Sequence, residues 1–88
     1  MQVVDSNSKI VDGTGKVLAE GTATLELDSQ GQTWSGYFEM KVGHRLDPNI
    51  GGNLKLILST GYSGMFGWTN MNPVTGDFRF NGSGPISK

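Results

Sequence analysis

Small and aliphatic residues alternate with polar ones from Val17 to Asp28, and this is the clearest pattern along the chain. Consecutive side chains of a β-strand point to opposite faces, so the alternation predicts a long strand with one buried and one solvated face. Leu18 is the exception, because it falls among the polar positions. Gly21 lies inside the run, where an interior glycine often marks a bend or a bulge. We therefore expect a long, bent strand here.

A second alternating run extends from Trp34 to Val42, with tryptophan, glycine, phenylalanine, methionine and valine on its apolar side. Turn-forming residues at positions 29–32 separate the two runs, which predicts an antiparallel hairpin with Gln30 and Gly31 at its tip. In that register large residues face small ones across the ladder. The predicted opposing pairs are Leu27 with Trp34, Leu25 with Gly36 and Ala23 with Phe38.

The remaining apolar runs are shorter, and turn-forming residues separate them. They predict strands at Gln2–Asp5, Lys9–Val11, Asn53–Ser59, Ser63–Met71 and Asp77–Asn81. No segment keeps a helical period with caps at both ends. The sequence thus predicts a single all-β domain over residues 1–88. Its architecture is a small antiparallel β-barrel or a half-open β-sandwich of about six or seven strands, and the barrel is favoured because closure removes unpaired strand edges.

Charge and composition narrow the classes of function. Seven Lys and Arg residues balance eight Asp and Glu residues, and they are spread singly along the chain. Without a basic stripe there is little to hold a phosphate backbone, so we expect no nucleic-acid partner. No apolar run is long enough to span a membrane, and the first residues lack the basic start and apolar core of a signal peptide. We expect a soluble cytoplasmic protein with no membrane partner, and a periplasmic or secreted origin stays open if a signal peptide was removed.

Candidate catalytic residues are sparse. His44 and Asp47 share one glycine-flanked loop and form the one pair that could act as an oriented base, but a solvated loop histidine is the commoner situation. Glu26 and Glu39 could serve as paired acids, yet both lie at polar strand positions and are not opposite each other in the predicted hairpin. Cysteine is absent, and a lone imidazole makes no transition-metal site. We therefore predict no enzymatic activity, no catalytic residue, no metal and no cofactor.

Three glycine-rich stretches, at residues 12–16, 61–67 and 82–85, have the composition of phosphate-binding loops. Such loops require a following helix, whereas strands flank these stretches, so we predict turns instead. Residues 81–83 match the N-glycosylation acceptor pattern. That pattern is short enough to occur by chance, and its Asn-Gly pair is equally a turn sequence.

Three aromatic residues are the candidate ligand-binding residues: Tyr37, Tyr62 and Trp68. Tyr37 lies among the polar positions of its strand, and Tyr62 lies at a predicted hairpin tip. Together with Trp68 they could form a stacking platform for a sugar, a base or another flat ligand. The structural alternative is that they close an end of the barrel or form a subunit contact.

The predicted strand Ser63–Met71 has large apolar residues on both faces, with Met65 and Met71 opposite Phe66 and Trp68. A strand that faces water on one side normally shows polar residues there, and this chain is too short for a second layer. Met65 and Met71 are therefore the predicted interface residues of a homo-oligomer, most simply a two-fold dimer. The predicted function is a non-enzymatic interaction or assembly module. The alternative is a β-barrel that binds a carbohydrate or another small molecule through exposed aromatic residues.

Overall fold

The computed structural model describes residues 2–28, 30, 32–44, 46 and 54–88 of the chain. These residues form six β-strands and no helix. The strands are β1 (Gln2–Val11), β2 (Val17–Leu27), β3 (Trp34–Met40), β4 (Leu54–Ile57), β5 (Ser63–Thr69) and β6 (Phe78–Gly82). The described part of the chain therefore contains no helix that could span a bilayer.

The six strands close into a barrel in the order β1-β2-β3-β6-β5-β4, and every neighbouring pair is antiparallel. Strands β1 to β3 form one three-stranded meander, and β4 to β6 form another. The β3–β6 and β1–β4 pairings join the two meanders. Of the two architectures that the sequence predicts, the barrel is the one that forms.

The β2–β3 hairpin has the register that the alternation predicts. The observed opposing pairs are Leu27 with Trp34, Leu25 with Gly36 and Ala23 with Phe38. A Cβ added at Gly36 would overlap the backbone carbonyl of Thr24, so glycine is what lets the two strands approach this closely. The prediction was wrong at the far end of β3, which stops at Met40 and leaves Val42 98% exposed. The chain turns there through Gly43, whose φ of 88° lies in the left-handed region.

β1 is one strand with a bulge, whereas the sequence predicts two short strands at its ends. The register with β2 shifts between Asp5 and Ser8, where Ser6 and Asn7 oppose a single residue. The Asp5 side chain accepts the Asn7 N–H at 2.9 Å, and the Ser8 hydroxyl donates to the Gly21 carbonyl at 2.8 Å. These bonds satisfy backbone groups that the bulge removes from the ladder, so the polar segment does not end the strand.

Aromatic side chains fill the barrel. Phe38, Phe78 and Phe80 are at most 2% exposed, and the rings of Phe38 and Phe78 stack with centroids 5.5 Å apart. Phe66 also stacks on Phe78, at 5.9 Å. The three leucines within residues 54–58 are buried, as their alternation predicts. An interior of this kind is packed with its own side chains rather than hollow.

The residues after β6 close one end of the barrel over Trp34. The indole N–H of Trp34 donates to the Gly84 carbonyl at 2.8 Å, and Ile86 is buried in the core. Ser63 and Ser87 exchange two backbone hydrogen bonds, of 2.8 and 3.0 Å, which hold this segment against β5. Trp34 is consequently 4% exposed, in agreement with its predicted core position.

Candidate functional site

Because the interior is filled, the candidate binding residues lie on the outer surface. Phe38 and Phe80 point inward, so alternation places their strand neighbours outward. Two rows of outward residues cross the sheet formed by β2, β3, β6 and β5. The first row is Thr24, Tyr37, Arg79 and Thr69, and the second is Glu26, Ser35, Asn81 and Gly67. Each row extends about 14 Å across the strands.

Two adjoining cavities open along these rows, and together we call them the outer groove. The first, of about 380 Å³, lies around Tyr37 and Arg79, and the second, of about 390 Å³, lies beside Trp34. Both cavities are lined by Glu26, Ser35 and Asn81. The lining of the first cavity combines the aromatic ring of Tyr37 with hydrogen-bonding groups from neighbouring strands, which is the combination that small-molecule sites use. The outer groove is therefore the candidate binding site.

Tyr37 lies among charged groups at the outer groove. Partial burial raises the pKa of its phenol, the negative charges of Asp77 and Glu39 raise it further, and Arg79 acts in the opposite direction. A hydrogen bond holds Asp77 against the end of β3, because its Oδ1 accepts the Met40 N–H at 2.7 Å. The Tyr37 hydroxyl lies 3.5 Å from the other carboxylate oxygen of Asp77. The phenol therefore stays protonated at physiological pH and keeps a hydrogen-bond donor.

The structure does not bring the three candidate aromatic residues together. Trp68 lies on the inward face of β5, with its ring centroid 6.3 Å from that of Phe78. Tyr62 is 42% exposed in the turn before β5, and the Nζ of Lys88 lies 5.3 Å from its ring centroid. Tyr37 alone of the three lines the outer groove, so a platform made of all three does not form.

Met65 and Met71 have different surroundings. Met65 is half-buried on the outward face of β5, opposite Lys55 of β4. Met71 follows the end of β5, beyond Asn70, whose φ of 53° turns the chain. Its partly buried side chain packs against the core. The strand is therefore two residues shorter than predicted, and Met65 alone remains on the face where both methionines were expected.

His44 accepts a hydrogen bond from the backbone. Its Nδ1 accepts the Glu20 N–H of β2 at 3.2 Å, which assigns the hydrogen of the neutral ring to Nε2. Asp47, its predicted partner, lies outside the described residues. Among the residues that the structure describes, no group of three His, Cys, Asp or Glu side chains could hold a metal ion.

Glu26 and Glu39 are separated along the β2–β3 ladder. Glu26 pairs with Ser35, and Glu39 pairs with Thr22, so the two carboxylates lie four ladder positions apart. That offset corresponds to roughly 13 Å along the strands. Paired catalytic carboxylates lie closer, at about 5–9.5 Å, so this pair does not have the spacing of a glycosidase site.

Of the three glycine-rich stretches, residues 12–16 form a turn, as predicted, whereas the other two lie partly in strands. Asp12 Oδ1 accepts the N–H groups of Thr14 and Lys16 at 2.9 and 3.0 Å, which closes the β1–β2 turn. Residues 61–67 begin in the β4–β5 turn and continue into β5. Asn81 and its following glycine differ, because they lie in β6. Asn81 is exposed there, in the wall of the outer groove.

The sequence does not predict the outer groove as a unit. Glu26 is a possible acid and Asn81 is in a glycosylation pattern, whereas Arg79 is simply the residue between two phenylalanines of a predicted strand. No pattern joins the three. Alternation marks each one as outward. The missing information is the pairing of β3 with β6, which brings distant parts of the chain side by side.

Comparisons with models of protein families, with curated proteins and with solved structures give no match for this chain. The fold defines its class as an all-β protein with six antiparallel strands closed into a small barrel. The outer groove is therefore the basis of the functional inference.

Proposed function

We propose that this protein is a non-enzymatic binding module that holds an extended, polar ligand in its outer groove. The observation that carries the proposal is the alignment of Tyr37, Arg79 and Asn81 with neighbouring hydroxyl and carboxylate groups across four strands. These side chains offer hydrogen-bond donors and acceptors in two adjoining cavities, and the sheet beneath keeps their spacing fixed. Members of both rows line the first cavity, so a ligand bound there would contact both rows.

The surroundings of Tyr37 favour binding over catalysis. The Tyr37 hydroxyl donates a long hydrogen bond, of 3.5 Å, to the Asp77 carboxylate beside it. The other oxygen of Asp77 is bonded to the Met40 N–H. This carboxylate therefore fits a role in holding the β5–β6 loop against β3 better than a role in activating the phenol.

Calorimetric titration of matched variants tests the proposal. Water-soluble oligosaccharides, single-stranded oligonucleotides and extended peptides are the probes, and we expect one class to bind. Arg79→Ala should weaken that binding about tenfold or more, because a hydrogen bond to a charged group contributes about 1.5–3 kcal/mol. Lys9→Ala removes another exposed cation, one that lies outside the groove, and should leave the affinity unchanged. Equal effects of the two substitutions, or no binding in any class, would contradict the proposal.

Self-association is the second candidate function, and Met65 supports it. Met65 and Ile57 are half-buried apolar residues on the outward face of the β4–β5 hairpin, diagonal to each other in the ladder. A two-fold dimer through this face would cover both, although Lys9 and Lys55 border it and would meet their own copies. Met65→Lys should convert an oligomer to a monomer in light scattering at micromolar concentration. A starting protein that is monomeric, or an oligomer that survives the substitution, would rule out this interface.

A further inference from the structure

The charges that line the first cavity of the outer groove balance each other. Of the residues that the structure describes, one cation, Arg79, and one carboxylate, Glu26, contribute to its lining. The rest of the polar lining consists of neutral amide and hydroxyl side chains from Gln2, Thr24, Ser35, Tyr37, Thr69 and Asn81. Such a surface offers many hydrogen bonds without a net attraction for an ion.

Carboxylates close to the cavity add a bias against anions. Asp28 lines the second cavity, and Asp77 and Glu39 act electrostatically on Tyr37. Asp28 Oδ1 accepts two backbone N–H groups, at 2.8 and 3.1 Å, so this carboxylate supports a turn while its charge remains. Within the described part of the chain, a polyanion at this face would meet the carboxylates of Asp28, Asp77 and Glu39 against the one guanidinium of Arg79. A nucleic acid or a polyuronate therefore does not fit the groove.

An extended peptide would also find few partners on this face. The backbone N–H and C=O groups of β2, β3, β6 and β5 pair with one another in the ladders. Peptides that bind sheets commonly pair with a free strand edge, which the middle of these four strands does not offer. A hydroxyl-rich ligand differs, because it bonds directly to the side chains that project from the sheet.

We infer that the outer groove binds a neutral oligosaccharide. Tyr37 supplies an aromatic surface for the apolar C–H face of a sugar ring, and Glu26, Arg79 and Asn81 bond to its hydroxyl groups. The rows extend about 14 Å, which is longer than one sugar ring, so more than one sugar unit contacts the sheet. This inference rests on the proposed function, because it names the ligand class of the same groove.

A second calorimetric series separates this inference from the broader proposal. The neutral probes are cellohexaose, maltohexaose and the hexasaccharide of chitin, and the acidic probe is a hexasaccharide of galacturonic acid. We expect at least one neutral probe to bind, with an affinity that does not change between low and high salt. The acidic probe should bind at least about tenfold more weakly than that neutral probe.

Two substitutions of Tyr37 test the role of its ring. Tyr37→Ala should weaken binding of the neutral probe about tenfold or more, whereas Tyr37→Phe keeps the ring and should change it by less than about threefold. The amide NMR spectrum checks the folding of each variant. If Tyr37→Ala fails to fold, Asn81→Ala, at an exposed position of the same groove, takes its place and should weaken binding severalfold.

The possible outcomes separate the oligosaccharide inference from the proposed function of the groove. If the acidic probe, an oligonucleotide or a peptide binds there in preference to every neutral sugar, the oligosaccharide inference is overturned and the proposed function remains. If the neutral probe binds but the substitutions in the groove leave its affinity unchanged, the inference is also overturned. If no probe of any class binds, both are overturned.

Discussion

Replacing Gly82 with alanine should destabilise the barrel, because the side chain of Trp34 occupies the space that a Cβ would need. An added Cβ would lie 2.5 Å from the indole Cδ1 and closer still to Nε1. The indole has little room to move away. A Cβ at Gly64 would lie only 2.7 Å from its Cζ2, the Phe80 ring centroid is 5.7 Å from its own, and its N–H is bonded to the Gly84 carbonyl.

Two costs determine the size of the effect of Gly82→Ala. Overpacking of a filled core costs about 1–3 kcal/mol. An indole that shifts to relieve the overlap also loses its 2.8 Å bond to Gly84, and a buried N–H without a partner costs about 1–3 kcal/mol more. We therefore expect the free energy of unfolding to fall by about 2–6 kcal/mol, out of roughly 4–13 kcal/mol for a domain of this length.

Urea denaturation followed by tryptophan fluorescence measures this loss. Gly67→Ala is the matched control, because Gly67 lies in the neighbouring strand β5 and an added Cβ there meets nothing within 4 Å. The control should change the free energy of unfolding by less than about 1 kcal/mol. If the Gly82→Ala and Gly67→Ala proteins are equally stable, the packing of Trp34 against Gly82 is not what restricts this position.

Two further substitutions test contacts elsewhere in the barrel. Burial raises the pKa of Asp5, but hydrogen bonds from Asn7 and Ser59 outweigh it and hold the pKa below its ordinary value. The resulting stabilisation is fully present above about pH 4 and is lost as the pH falls through the folded-state pKa. Asp5→Asn should therefore lower the urea midpoint at neutral pH and reduce the fall of that midpoint in acid. A fall in acid equal to that of the unsubstituted protein would contradict this. His44→Ala removes one hydrogen bond from the Glu20 N–H and should lower the free energy of unfolding, measured by thermal denaturation, by about 1 kcal/mol or less. A larger loss would show that His44 has a role that this geometry does not explain.

The β2–β3 hairpin is predictable because the information that defines it is local. Alternation assigns the inward face of each strand, and the turn between them sets the register. The bulge of β1 is different. Its Ser6-Asn7-Ser8 segment has the composition of a turn, and the contacts that keep it in the strand come from Gly21 and Ser59, which are distant in sequence.

The end of β5 shows where alternation stops being informative. Counting positions from Phe66 places Met71 on the outward face. The left-handed conformation of Asn70 breaks that count, and Met71 packs against the core instead. The outer groove could not be predicted from the sequence for a related reason. It depends on the pairing of β3 with β6, which follows from barrel closure and not from any local pattern.

Chemical-shift mapping tests most directly whether the outer groove is the binding site. The ¹⁵N-labelled protein is titrated with the probe that binds most tightly, and the amide signals of all six strands are followed. The largest changes should cluster at Tyr37, Arg79, Asn81 and their neighbours in the two rows, while Lys55 on β4 stays unchanged. Largest changes on the β4–β5 hairpin, or no changes with any probe, would contradict the assignment of the ligand to this groove.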